Sequence, residues 1–235
     1  MCYSNSSISK NIDLARKYKK KLPENANDII YHHVSGFSRP SWPIINHSEE
    51  IQFMNWGLIP SWYKGNHNEI ASKTLNCRVE TADSRSSFKH VLNSRRCVIP
   101  SSGFFEWQHH GKVKIPHFIY SPESEILSMA GLWDTLVDSI TGEVHQTFTI
   151  ITTEANDFMA SIHNTKKRMP LFLNSDNQIA EWLSNEEMIT KYIKSSQQTV
   201  LTAHQINAKL LSGSSSNIPE ITQPYRDQTE QLSLF

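Results

Sequence analysis

Between about Ile29 and Thr153 the chain breaks into short apolar runs, "PIIN", "RCVIP", "IPHFIY", "SMAGLW" and "TFTIITT", separated by turns rich in Gly, Pro, Ser and Asn. Runs of that length, bounded by turn residues, predict β-strands. Ahead of them, "SISKNIDLARKYKKKLPE" predicts a helix. Ser7 or Ser9 is placed to cap it, Ile8, Leu14, Tyr18 and Leu22 fall near one side, and Pro23 follows its end. Its Arg16, Lys17, Lys19, Lys20 and Lys21 read as a solvated face. After the strands, "EANDFMASI", "SDNQIAEWLSN" and "EEMITKYIKS" predict helices, with Ser175 or Asp176 as N-cap of the middle one. The distribution suggests an α+β domain built on antiparallel strands, not a βαβ repeat. "SGSSSN" after Leu211 divides residues 1–211 from a polar tail, 212–235.

The 235 residues suffice for one domain with a sizeable core. Formal net charge is zero with a pI near 7.2, so no global basic field attracts nucleic acid, and any such binding rests on a local patch. There is neither a secretory h-region nor an apolar stretch of membrane-helix length, and the three cysteines include no CxxC pair. The cytosol is the expected compartment. The eleven histidines include adjacent pairs at His32-His33 and His109-His110, but no HxxxH on a helix and no HExxH, so they read as solvated loop residues and no metal is expected. GxGxxG, GxxxxGK[ST] and GxSxG are also absent.

Cys2 stands directly behind the initiator methionine. Cysteine is small enough for an aminopeptidase to remove Met1, which would place a free α-amine and a thiol on one carbon skeleton; the bland alternative is an idle thiol at a frayed terminus. In "LNCRVET", read as a strand, Asn76, Arg78 and Glu80 share one face while Cys77 and Val79 share the other. Cys77 and Cys97 therefore read as core. "SGFFEW" surrounds Glu106 with aromatic residues, which would raise its pKa if it is buried among them. "SIHNTKKRMP" supplies His163 as a proton-transfer candidate, followed by Lys166, Lys167 and Arg168 in a turn. Trp42 and Trp62, in proline-rich surroundings, are either core or platforms for unpaired bases.

Taken in order, Met1-Cys2, "WGLIPSW" 56–62, "NCRVET" 76–81, "RRCVIP" 95–100, "GFFEW" 103–107, "AGLW" 130–133, "TFTIITTEAN" 147–156 and His163 with "RMP" 168–170 resemble the SRAP family, the SOS-response-associated peptidases or abasic-site processing proteins. The resemblance implies a single domain with a barrel-like, strand-lined cleft for single-stranded DNA. It implies that the mature N-terminal cysteine crosslinks to abasic sites through a Schiff base and a thiazolidine, protecting the lesion, with AP-lyase and self-processing peptidase activity as further family properties. By position, Cys2 matches the nucleophile, and Asn76, Glu106 and His163 match the catalytic residues. Arg78, with Arg168, Lys166 and Lys167, would hold phosphates, and Trp42 and Trp62 would contact the strand. No cofactor is implied, and a monomer is expected. Two departures stand out: Tyr3 and Ser4 replace the usual Gly-Arg after the cysteine, and four residues separate His163 from Arg168 where the family commonly has one. A noncovalent single-strand binder and a peptidase acting on other proteins are the rival readings. The terminal Gln231, Leu232, Ser233, Leu234 and Phe235 resemble the peptide by which bacterial proteins dock on the replication sliding clamp.

Overall fold

The apolar runs are strands, and those at "RCVIP", "SMAGLW" and "TFTIITT" are buried on both faces. In a computed structural model, which describes residues 2–211 and 217–226, twelve strands form two sheets. The strands are β1 (Ser4–Ser7), β2 (Tyr31–Ser35), β3 (Ser41–Ile44), β4 (Gln52–Trp56), β5 (Asn76–Arg78), β6 (Arg96–Ser101), β7 (Gly103–His110), β8 (Val113–Tyr120), β9 (Leu127–Val137), β10 (Val144–Glu154), β11 (Arg168–Pro170) and β12 (Thr202–Gln205). One sheet has the order β12-β8-β7-β1-β2 and the other β3-β4-β10-β9-β6, with β5 and β11 also on β10. All pairings are antiparallel except those of β10 with β4 and β5. Together they make a nearly closed, barrel-like α+β fold.

The two-sided burial is visible in the side-chain alternation. From β6, β9 and β10, the residues Cys97, Ile99, Met129, Phe148 and Ile150 face an inner core shared with Trp42, Trp56 and Phe104. Their neighbours Val98, Ala130, Leu132 and Ile151 face an outer core covered by Leu14, Tyr18 and Trp182. Continuous hydrophobicity rather than strict alternation is what such strands require. The flanking helices are α1 (Asn11–Tyr18), α2 (His67–Lys73), α3 (Asp157–Ile162), α4 (Asp176–Ser184), α5 (Ile193–Gln197) and α6 (Ala208–Leu211). None of the described helices is long and apolar enough to cross a membrane.

Three local expectations change. α1 starts at Asn11, and neither Ser7 nor Ser9 caps it; Asp28 accepts from the Asn11 N–H at 2.7 Å instead. Ser7 belongs to β1, and Ile8 is exposed ahead of the helix. "NCRVET" is strand only to Arg78 and then turns into a 3-10 helix, Val79–Thr81. Arg168 opens a short strand, and the turn before it is confined to residues 164–167. Ser175 does cap α4, accepting from the Gln178 N–H. The clamp-like peptide 231–235 lies outside the described residues.

Candidate active site

A strand of four polar residues places the candidate nucleophile. β1 reads SNSS, yet every residue in it is buried, because it lies between β7 and β2. Its polar atoms are satisfied inside: Asn5 Oδ1 accepts from Ser101 Oγ at 2.6 Å, and Ser6 Oγ donates to the Tyr31 carbonyl at 3.1 Å. With β1 held on both edges, Cys2 enters the inner core, where it is 1% exposed. Burial pushes its thiol well above the usual range, and the Glu106 carboxylate adds to the rise. The group is a thiol, not a thiolate, at neutral pH.

Asn76 reaches Cys2 from β5, its Nδ2 donating to the Cys2 carbonyl at 3.0 Å. Its Oδ1 is buried without a hydrogen-bond partner, so an acceptor stands beside the nucleophile. Glu106, from β7, and His163, the C-cap of α3, are both buried and lie 3.7 Å apart. Burial raises the Glu106 carboxyl to about 7 and lowers the His163 imidazole to about 4. His163 Nδ1 donates to the Arg168 carbonyl at 3.0 Å, because a carbonyl can only accept, which makes Nε2 the unprotonated ring nitrogen. Near neutrality the pair is thus a carboxyl that readily gains or loses a proton and a neutral imidazole with an acceptor nitrogen. The sequence offered both as proton-transfer candidates, Glu106 through burial among aromatic residues and His163 through its imidazole, and the structure brings the two together.

Two DNA-contact expectations are corrected. Trp42 is fully buried, its indole N–H donating to the Pro100 carbonyl at 2.8 Å, and cannot stack on a base. Arg168 is buried and committed: its guanidinium holds Glu80 through two bonds of 2.7 and 2.9 Å and donates to the Thr152 carbonyl at 2.6 Å. The role it takes is to fix the carbonyl on which His163 leans. The sequence placed Glu80 with Asn76 and Arg78 on one polar face, but its pairing with Arg168, eighty-eight positions later, was not legible there. Trp62 is half-exposed, and Arg78, Lys166 and Lys167 are exposed. Phe37, from the same aromatic, proline-rich stretch as Trp42, is exposed and its ring lies 5.2 Å from that of Tyr3. The turn at 164–167 is anchored where Asn164 Oδ1 accepts from the His109 N–H and Asn164 Nδ2 donates to the His109 carbonyl. Cys77 and Cys97 are buried core residues.

Fold and site define a barrel-like protein with a cysteine at residue 2 and an acid–base pair beside it. The family model described as SOS response associated peptidase (SRAP) matches residues 1–212, and the chain belongs to that family. The chain is 34% identical over 177 residues to the abasic site processing protein YoqW of Bacillus subtilis (strain 168), covering 73% of this chain and 75% of that protein. It is 37% identical over 158 residues to the abasic site processing protein HMCES of Gallus gallus, covering 59% of this chain but only 46% of that one. A solved structure of a Bacteroides thetaiotaomicron protein superposes with a TM-score of 0.87 at 37% identity, covering 96% of this chain and 100% of that one.

Proposed function

We propose that this protein captures abasic sites in single-stranded DNA as a covalent adduct on Cys2, protecting the lesion during replication. The observation that carries the reading is the convergence of Asn76, Glu106 and His163, from distant parts of the sequence, on one buried residue 2. The substrate class is taken from the relatives, which are abasic site processing proteins by name.

Removal of Met1 would leave an α-amine with an ordinary pKa near 7.7–8, partly neutral where a lysine near 10.4 is not. That nitrogen attacks the aldehyde carbon of the ring-opened sugar. Glu106 donates a proton to the departing hydroxyl, water leaves, and an imine remains. The Cys2 S–H then adds across the C=N bond: sulfur bonds to carbon, the proton passes through Glu106 to nitrogen, and a five-membered thiazolidine closes. Aldehyde plus cysteine give thiazolidine plus one water. Because closure is intramolecular, the protonated thiol is no obstacle; proximity supplies much of the barrier reduction. Asn76 orients residue 2; on ring opening the acceptor nitrogen of His163 takes the C1 hydroxyl proton while Glu106 protonates the departing ring oxygen, and the proton returns from His163 to Glu106 before the amine attacks. A missing base leaves nothing to unstack, which makes the lesion easy to splay into a narrow site. β-Elimination from the imine would give lyase activity, and the family name offers self-processing as a further activity.

Mature protein mixed with abasic single-stranded DNA should give a band that survives denaturing electrophoresis, and Cys2→Ala should abolish the stable band. A noncovalent binder would give none with either protein; an equal band with both would remove sulfur from the chemistry. Mass spectrometry of the active protein should show Cys2 as its first residue. Recruitment by the 231–235 peptide is proposed on its sequence alone: deleting Leu234 and Phe235 should abolish retention on immobilised sliding clamp, and no retention of the full chain would end that idea.

A further inference from the structure

At the far end of the β9–β10 hairpin, outside the Cys2 site, two histidines and a carboxylate converge. His67 opens α2, Asp138 follows β9 and His145 lies near the start of β10. One potential donor atom from each lies within 4.8 Å of the others. The two imidazoles meet edge to face, with centroids 4.9 Å apart. His145 is five residues along β10 from Ile150, the partner of Asn76, or about 17 Å at the rise of a strand. The trio is therefore separate from the acid–base pair.

We propose that His67, Asp138 and His145 form a binding site for a borderline divalent cation of the zinc class, clamping the 61–68 segment to the β9–β10 hairpin. Two imidazoles with one carboxylate form a donor set suited to zinc, copper, nickel or cobalt, whereas magnesium and calcium prefer oxygen alone. Donors about 2.0–2.2 Å from a common ion stand some 3.3–3.6 Å apart in a tetrahedron, so small side-chain rotations close the present spacing. One oxygen of Asp138 is already oriented: Oδ1 accepts from the N–H groups of Ile140 and Thr141, leaving Oδ2 for the ion. His145 Nδ1 lies 3.6 Å from Glu143 Oε1, a carboxylate near enough to hold the ring through that nitrogen after a small side-chain shift, as outer carboxylates do for ligating imidazoles. A surface cavity of about 720 Å³ bounded by Trp62, Tyr63, His67 and Asp138 gives the ion access and leaves room for water in a fourth position. The ligands come from segments about seventy positions apart, so binding would fix the segment that carries the exposed Trp62. Neither histidine is the solvated loop residue that the sequence suggested: His67 opens a helix and His145 lies on a strand, both half-buried.

Full-length protein, stripped with chelator and titrated with Co²⁺, should bind one ion per chain with visible bands of a nitrogen–oxygen site and no thiolate charge-transfer band. Calorimetry with Zn²⁺ should show affinity falling at least about tenfold in His67→Ala and His145→Ala and also in Asp138→Asn, which keeps the turn acceptor. Cys2→Ala should bind as wild type does, which separates this site from the one under Proposed function. Zn²⁺ should also shift the imidazole resonances of His67 and His145 in the wild-type protein, a readout that needs no folded variant. Absence of binding at about 100 μM Zn²⁺, undiminished binding in the histidine variants, or a charge-transfer band would each overturn the site.

Discussion

Glu106 and His163 have been moved toward and past each other by the same cause. Burial lifts the carboxyl from 4.5 to about 7 and lowers the imidazole from 6.5 to about 4. Between pH 4.5 and 7 the folded protein keeps a proton on Glu106 that the unfolded chain has released, so this contribution to stability is lost as pH rises. Between pH 6.5 and 4 the unfolded chain takes up a proton that folded His163 refuses, so that contribution is lost as pH falls. In the wild type the two slopes oppose. Glu106→Gln removes one of them: its stability relative to wild type should rise by up to about 3 kcal/mol between pH 4.5 and 7.5, since each tenfold change in proton affinity corresponds to about 1.36 kcal/mol. Urea unfolding at the two ends of that range measures the difference. A difference that does not change with pH would mean that Glu106 ionises in the fold as it does in the open chain. The same substitution should slow adduct formation at pH 7 by about 10²-fold or more, the usual size of a general acid–base contribution.

β1 shows how an element with no strand signature can decide the site. SNSS has neither apolar alternation nor β-branched residues, and no sequence pattern predicts it; tertiary pairing on both edges and the buried Asn5–Ser101 bond replace propensity. Asn5→Ala should cost about 1–3 kcal/mol by emptying a buried polar position that also receives the Ser6 N–H. By loosening the strand that carries Cys2 it should slow crosslinking about tenfold or more while single-strand affinity stays unchanged. Stopped-time adduct assays beside equilibrium binding separate the two effects; a fall in affinity equal to the fall in rate would show that β1 serves the cleft as a whole. By contrast, β3, β6, β9 and β10 were legible, because continuous apolar runs are what doubly covered strands demand. The residues at Cys2 were legible as motifs, but three things were not. Burial of Trp42 depends on which side of β3 meets the inner core. The commitment of Arg168 depends on Glu80, eighty-eight positions earlier. His67, Asp138 and His145 become neighbours only when α2 and the hairpin are in place.

Zero net charge sets the behaviour of the whole molecule toward DNA. With no long-range basic field, the proposed capture of a strand would draw its electrostatic attraction from exposed cations such as Arg78, Lys166 and Lys167, since Arg168 is held by Glu80. Three phosphate contacts on single-stranded DNA correspond to a slope of about −2 in log K against log salt, far shallower than for strongly basic DNA-binding proteins. Replacing Lys166 and Lys167 together with Ala should bring the slope to about −0.7, because two counterion-releasing contacts are gone. Covalent capture at saturating DNA should persist, because neither lysine belongs to the proton-transfer pair. Fluorescence anisotropy across a salt series, run on Cys2→Ala to keep binding reversible, gives both slopes. An unchanged slope in the double variant would place the phosphates away from the 164–167 turn, and with them the path of the strand past Cys2.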